Sequence, residues 1–312
     1  MVVATILLCS PFGVTVHCLD APSNALRTAL LENDIHHLPL WVALDEGYFK
    51  EEGVDIDIVG LFRAGPEIMS AFSAGAVDMA YVGEAPTVTA FANGTAKIKI
   101  LAQVNTEGSA IVVSRNSAIK SVRDLRTKVV AIPGYSTVQD CLLHKALGKY
   151  HISLKDVQIT VIRPPEMISA LRMGQIDAFV AWEPVPSQAI GMGVGDILAT
   201  SGSIWPDHPC CVLVVDAILA KKHPDKLRRI LRAHQKAVAF ILSKPREAAV
   251  IAVKHTGMSA QVVKMAMENV KYVSDLNIEG LRDYIKYLKR LGYVDVKDVE
   301  ALIAHLVNRP EE

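Results

Sequence analysis

Two adjacent histidines, His36 and His37, and two glutamates, Glu84 and Glu183, are the first side chains whose types invite chemistry. With His208 they would offer a metal ion acceptable donors. Their spacing argues against it: adjacent histidines in an extended segment point in different directions, and no HxxxH or CxxC pattern accompanies them, so no metal site is expected. Among the five cysteines, Cys9 and Cys18 lie near the start, and Cys141, Cys210 and Cys211 follow, which makes neither a disulfide framework nor a zinc pattern. The default for these three is a buried apolar side chain. Nucleophilic catalysis needs a thiolate beside a base. His208 is near Cys210 in sequence, but Cys210-Cys211 is a bare pair running into an apolar strand, so no catalytic residue is expected.

The other candidates are loop residues that could hold a small molecule. In "AIPGYSTVQD" a strand and a glycine turn lead to Ser136, with Gln139 three residues on, a capping-box spacing that makes Ser136 a helix cap. Thr137 and the local backbone amides either complete that cap or contact an anionic ligand. Arg63 heads another helix and either pairs with an acid group or is an exposed loop arginine. A bare oxyanion would not tolerate both Glu84 and Glu183 ionised and unpaired nearby. One of them then pairs with a protein cation, or the ligand carries an amino or other donor end.

The elements that must position these residues are written twice. "PEIMSAFSAGAVDMAYVGEAP", from Pro66, and "PEMISALRMGQIDAFVAWEP", from Pro165, align without a gap at an offset of 99, the difference between 165 and 66. Pro66, Glu67, Ser70, Ala71, Gly75, Asp78 and Glu84 fall on Pro165, Glu166, Ser169, Ala170, Gly174, Asp177 and Glu183. Proline and a carboxylate open a helix and glycine closes it. Aspartate then precedes a short apolar run, Met79 to Val82 or Ala178 to Ala181, of the length of a strand buried on both faces. A period near 100 is too long for a solenoid, where repeats run roughly 20 to 50 residues, and points to two similar lobes. The 312 residues agree, since about 150 residues serve one domain.

Strands are expected at Ala25 to Leu31, Val54 to Leu61, Lys97 to Val104, Ala110 to Ser114, Val129 to Ile132 and Val157 to Ile162. They alternate with helices, including Pro39 to Tyr48 and Thr137 to Leu147, so parallel sheets covered on both faces are expected. After a strand at Val212 to Val215 only helices are expected. One has an apolar stripe through Leu227, Ile230, Leu231, His234, Val238, Ile241 and Leu242, and another through Leu281, Tyr284, Ile285, Leu288 and Leu291. They should pack on a lobe, with His234 a satisfied core histidine. In open α/β sheets ligands bind at the carboxyl ends of strands. The loops that matter are therefore His36-His37, Arg63-Ala64-Gly65, Gly83-Glu84-Ala85, Gly134 to Thr137 and Trp182-Glu183-Pro184.

Lys+Arg and Asp+Glu balance at 33 each, so no electrostatic footprint for nucleic acid appears, and Lys286, Lys289 and Arg290 read as a solvated helix face. Val2 to Val16 is nearly uncharged and too short to span a bilayer. It reads as an export signal lacking the usual basic start, or as an N-terminal strand or tail. Cys18 invites a lipid anchor, but His17 stands where such sites want a small residue, and no anchor is assigned.

Taken together, "IHHLPLWVALDEGYFKEEGVDIDIV", "AGAVDMAYVGEAP", "LRTKVVAIPGYST", "GQIDAFVAWEP" and "IWPDHPCCVLVV" followed by "KHPDKLRRILRAH" resemble the ABC-transporter solute-binding proteins for nitrate, alkanesulfonate, taurine and thiamine-pyrimidine precursors, in order from about Leu26 to Ala252. The resemblance implies an α/β, two-lobe periplasmic-binding-protein fold of the second type, each lobe an open sheet flanked by helices, with extra C-terminal helices on lobe 1. It divides the chain into a signal or tail over 1–24, lobe 1 over 25–108 and 207–312, and lobe 2 over 109–206, with connecting strands near Val104 to Val112 and Ser203 to Val212. It implies a monomer on the periplasmic or extracytoplasmic face of the membrane. There it would hold a small polar or anionic solute, sulfonate-, taurine- or nitrate-like, and deliver it to a permease driven by an ATPase. Neither cofactor nor nucleic acid is implied. The ligand-facing positions would be His36, His37, Arg63, Gly83, Glu84, Ser136, Thr137, Trp182 and Glu183, with Trp205 and His208. The alternative is an enzyme on the same scaffold, a thiamine-pyrimidine synthase or a desulfinase. A ligand-sensing transcription regulator would need a DNA-binding helical domain, and the residues before Leu26 are too few and too uncharged for one.

Overall fold

The computed structural model describes residues 25–308, so the readings of the first 24 residues, including Cys9, Cys18 and the export signal, lie outside the described residues. The chain runs through β1 (Leu26–Leu31), α1 (Leu38–Asp45), α2 (Tyr48–Glu51), β2 (Ile56–Phe62), α3 (Gly65–Ser73), β3 (Met79–Gly83), α4 (Glu84–Ala92) and β4 (Ile98–Glu107). It then passes to β5 (Ser109–Ser114), β6 (Val129–Ile132), α5 (Val138–Lys149), β7 (Gln158–Val161), α6 (Pro164–Arg172), β8 (Ala178–Trp182), α7 (Val185–Gly191), β9 (Gly195–Thr200) and α8 (Ser201–Ile204). It returns through β10 (Pro209–Asp216) and ends with α9 (Ala217–Lys222), α10 (Pro224–Ser243), α11 (Pro245–Thr256), α12 (Ala260–Glu268), β11 (Val270–Tyr272), α13 (Ile278–Arg290) and α14 (Val299–Leu306).

The strands form two sheets with one plan. The order is β2-β1-β3-β10-β4, with β11 added beyond β4, in the first sheet and β7-β6-β8-β5-β9 in the second. In each, three strands joined by helices lie parallel. A fourth strand, arriving from the other sheet's part of the chain, enters antiparallel to both its neighbours: β10 against β3 and β4, β5 against β8 and β9. The sheets are thus mixed where the alternation of strand and helix predicts parallel ones. Each visiting strand arrives from the other sheet, without the long helical crossover that a parallel neighbour needs. The first crossing is Glu107-Gly108; the second is α8 and the turn Trp205 to His208, so it is not a continuous strand.

The repeated residues hold the two halves in the same way. Gly75 and Gly174 both sit at φ +68, in the left-handed region where a side chain is penalised, and each ends its helix. Asp78 accepts the backbone N–H of Arg27 at 3.0 Å, and Asp177 accepts that of Val129 at 2.8 Å. Each aspartate fastens the start of the neighbouring strand, and its own N–H returns a bond to the same residue's carbonyl at 2.8 Å. The second sheet is buried on both faces by its period of two: Ile111, Val113, Val130 and Val180 pack on one side, Ala110, Val112, Ala131 and Phe179 on the other.

The C-terminal helices join the core of the first sheet, where Leu227, Ile230, Leu281, Tyr284 and Leu288 are buried. Leu242, expected on the inner stripe of α10, is exposed near the helix end. β11 corrects the expectation of helices only after β10: its three residues pair with β4. His234 is a satisfied core histidine. Its Nε2–H donates to the Gln103 carbonyl at 2.9 Å, its Nδ1 accepts the Tyr81 hydroxyl at 3.0 Å, and burial lowers its pKa to about 4.

Candidate functional site

The two halves meet at Gly108. Its carbonyl accepts the Nε2–H of His36 at 2.8 Å and the backbone N–H of Glu183 at 2.9 Å, so one hinge residue ties the loop after β1 to the loop after β8. Only glycine fits: φ is +84, and an added Cβ would lie 2.3 Å from His36 Nε2. His36 and His37 lie in a 3-10 turn, Ile35–His37, rather than the extended segment expected. The turn is capped by the Asp34 carboxylate, which accepts the His36 N–H at 2.8 Å.

The turn still sends the two rings apart. His37 Nδ1 accepts the Leu31 N–H at 3.3 Å, and its ring lies edge-on to Tyr81. His36 turns its Nδ1 towards two thiols, Cys210 Sγ at 3.5 Å and Cys211 Sγ at 3.7 Å, and these lie 3.9 Å from each other. Adjacent residues on a regular strand face opposite ways. Here the ladder of β10 against β4 shifts register between Pro209 and Cys211 and again between Cys211 and Val212, and this double irregularity lets both sulfurs meet one imidazole. The sequence reading of both cysteines as buried holds; the reading as apolar does not.

A cavity of about 20 Å³ lies here, lined from both halves by Asp34, His36, Gly83, Thr137, Gln139, Trp182, Cys210 and Cys211. It has room for about one water-sized body. Contacts between the halves close it. Arg163 donates from Nη2 to both Glu32 oxygens, at 2.8 and 2.6 Å, and Ser136 donates its hydroxyl to Thr89 at 2.8 Å. Lys145 sits 5.0 Å from the Tyr287 ring centroid, across from one half to the other.

Charge is scarce and unusually arranged. Burial raises the Asp34 carboxyl to about 7 against the pull of His36. For His36 burial acts downwards, but Asp34 and Cys210 beside it raise it to about 9. His37 is lowered to about 3 by burial and by His36, so it is neutral. The Cys210 thiol is held well below its ordinary value by its hydrogen bond with Cys211, with His36 and His208 acting the same way, whereas burial pushes Cys211 well above. These neighbours thus favour a proton on the His36 ring and its loss from the Cys210 thiol. Burial raises Glu84 to about 8, so it stands as a neutral acid at pH 7, reached by Gln103 Nε2 at 3.4 Å.

The remaining expected residues divide. Gly83, Thr137 and Trp182 line the cavity with His36. Glu84 and Glu183 are buried below the rim, where the repeat had placed them on it. Glu183 accepts from Asn269 Nδ2 at 2.7 Å and from the Ser187 N–H at 3.1 Å. Ser136 is not the cap. It takes φ +59, and Thr137 caps α5 by accepting the Asp140 N–H at 3.2 Å. Asp140 in turn accepts the Ser136 N–H at 2.8 Å, so a carboxylate of the chain stands where an external anion was expected. Arg63 remains exposed at the head of α3, its N–H donating to Glu67 at 3.1 Å. Trp205 stacks on Tyr284 at 4.9 Å, and His208 holds the Trp205 carbonyl with Nδ1 at 2.8 Å. The metal cluster of two histidines, two glutamates and His208 is not what forms. Asp34, Gly108, Gln139, Cys210, Cys211 and Asn269 were missed, and a pair of cysteines directly after a proline was the one available signal for a bulge.

A sequence profile of the NMT1-like family matches residues 25–255. A Brucella abortus (strain 2308) protein named only as a binding protein is 29% identical over 216 residues, 68% of this chain and 66% of that protein. A Bacillus subtilis (strain 168) protein named for binding aliphatic sulfonates is 29% identical over 274 residues, 84% of this chain and 82% of that protein. The periplasmic nitrate-binding protein NrtA from Synechocystis PCC 6803 superposes with a TM-score of 0.82 at 17% identity, covering 92% of this chain and 86% of that one, which shows a shared fold. The match over residues 25–255, which is most of the chain, places it in the NMT1-like family.

Proposed function

We propose that this chain is the extracytoplasmic solute-binding component of an ABC importer. It takes up a small polar or anionic solute between two lobes that close on it, and hands it to a permease and ATPase without altering it. The observation that carries the reading is the inner cavity, lined by the loops after β1 and β3 on one side and by those after β6 and β8 on the other. A solute touching both sides prefers the closed state, and closure then follows from differential affinity. At about 20 Å³ the closed cavity is smaller than a sulfonate, so the lobes part for entry and settle around the guest. Glu84, next in the chain to Gly83 of the cavity lining, is held neutral and adds no negative charge there, so an anionic group is tolerated. The names of the relatives, for aliphatic sulfonates and for nitrate, favour such solutes. Among the described residues no helix is long and apolar enough to cross a membrane.

The test is a thermal-shift screen of the reduced protein over taurine, alkanesulfonates, nitrate, bicarbonate, aromatic acids and pyrimidines. A solute at 100 times its Kd stabilises by about 2.7 kcal/mol and should be recovered unchanged. One observation favours a second reading: the Cys210 thiol, held below its ordinary pKa and 3.5 Å from His36 Nδ1, is placed like an activated nucleophile. Conversion of a bound solute, abolished in Cys210→Ser, would replace binding with catalysis.

A further inference from the structure

We propose that the floor of the cleft is a binding site for a thiophilic cation of the Zn²⁺ class, held by His36 Nδ1, Cys210 Sγ and Cys211 Sγ, with the fourth position left to water or an added ligand. The three donor atoms already span a face of the required tetrahedron. With Zn–S near 2.3 Å and Zn–N near 2.0–2.1 Å, a tetrahedral ion spaces its donors by about 3.8 Å for sulfur to sulfur and about 3.6 Å for sulfur to nitrogen. The distances here are 3.9 Å between the sulfurs and 3.5 and 3.7 Å from them to Nδ1.

Three further observations point to a ligand here. His36 donates its Nε2–H to the Gly108 carbonyl, which leaves Nδ1 as the donor aimed at the thiols and fixes the ring, the arrangement found behind metal-bound histidines. The buried Asp34 Oδ2 and His37 Nε2 lie 3.6 Å apart and neither has a hydrogen-bond partner, although Asp34 and His37 also stand close to Cys211. The cavity of about 20 Å³ suits one ion. Thiolate and imidazole together select soft or borderline cations over Mg²⁺ and Ca²⁺. The ion would replace the protons that His36 and the two thiols otherwise share, so binding releases protons and weakens steeply as pH falls.

The test uses the full chain, reduced and freed of metal, with Zn²⁺ or Co²⁺ alone as probe and no solute present. One equivalent of Co²⁺ should bind and show thiolate-to-cobalt charge transfer with the intense visible bands of a tetrahedral ion, and Zn²⁺ should bleach both. Cys210→Ser and Cys211→Ser should each remove about half the charge-transfer intensity and weaken binding at least 100-fold, whereas Cys141→Ser should change neither. X-ray absorption of the wild-type zinc form, which needs no variant to fold, should show two sulfur neighbours. A folded wild-type chain that binds no Co²⁺ or Zn²⁺ at 100 µM, or binds it with an all-oxygen and nitrogen octahedral spectrum, overturns the site. Because no solute enters the titration, that failure leaves the clamp reading standing, and a failed solute screen leaves this site standing.

Discussion

The two copies of the repeated unit use their shared residues alike up to the strand end and differently beyond it. Gly75 and Gly174 take the same φ of +68, and Asp78 and Asp177 fasten equivalent strand starts. The glutamates that follow go separate ways. Glu84 is buried among the thiols, with Oε1 lacking a hydrogen-bond partner and one long contact from Gln103. Glu183 is tied to the backbone of α7 and to Asn269, at the end of α12. A repeat therefore reports what the fold needs twice, while the same buried residue just past the strand end can be a titrating group in one half and a clasp in the other.

The largest effect expected from breaking this comparison lies at the glutamates, with opposite signs. The Glu84 carboxyl, at about 8 in the native chain against an ordinary 4.5, keeps a proton that the unfolded chain has lost between those values. Stability from this group is thus full below pH 4.5, falls as pH rises to about 8 and is level above it. Glu84→Gln should remove that fall, making the variant more stable than wild type by on the order of 2–4 kcal/mol at pH 8 and little different at pH 4. Asp34 and His36 give slopes of the same sign, which cancel in the difference between variant and wild type. Glu183→Ala should instead cost roughly 2–3 kcal/mol at pH 7, by leaving Asn269 and the Ser187 N–H without their acceptor. Urea unfolding of both variants across pH 4 to 9 reads the two signs.

Asp78 and Asp177 should differ less, and in degree only. Asp78 also pairs with the Arg27 guanidinium, at 2.6 Å from Nη2 and 2.9 Å from Nε, whereas Asp177 holds the Val129 N–H. Asp78→Ala should cost about 2 kcal/mol and Asp177→Ala about 1 kcal/mol in denaturant unfolding. The smallest contrast should be between the glycines. Nothing lies within 4 Å of a Cβ added at either, so only the backbone resists. Gly75→Ala and Gly174→Ala should each lose about 1–2 kcal/mol, equal within error. Unequal losses would mean that the two helix ends are not the same device.

Period and punctuation made the lobes legible. The apolar run Val129 to Ile132 is the strand β6 residue for residue, and the repeat announces two sheets with one plan. What stayed hidden was long-range. Nothing local to Val270-Lys271-Tyr272 shows that it extends a sheet, because its partner β4 lies far back in the chain. The thiols were hidden for a related reason: their convergence on His36 depends on bulges in the ladder with β4, and alternation along a strand would have sent them to opposite faces. Ser136 was misread as the cap because both it and Thr137 can cap, and the choice between them is made by φ +59 at Ser136, which the sequence does not display.

The central claim, that a guest is held by closure of two halves, is tested most directly by the distance between spin labels at Glu67 and Glu166, equivalent exposed positions on the two copies of the repeat. With a solute that raises the melting temperature, pulsed dipolar spectroscopy should give a shorter and narrower distribution than without it. A distribution that stays the same while the solute is demonstrably bound would contradict the account.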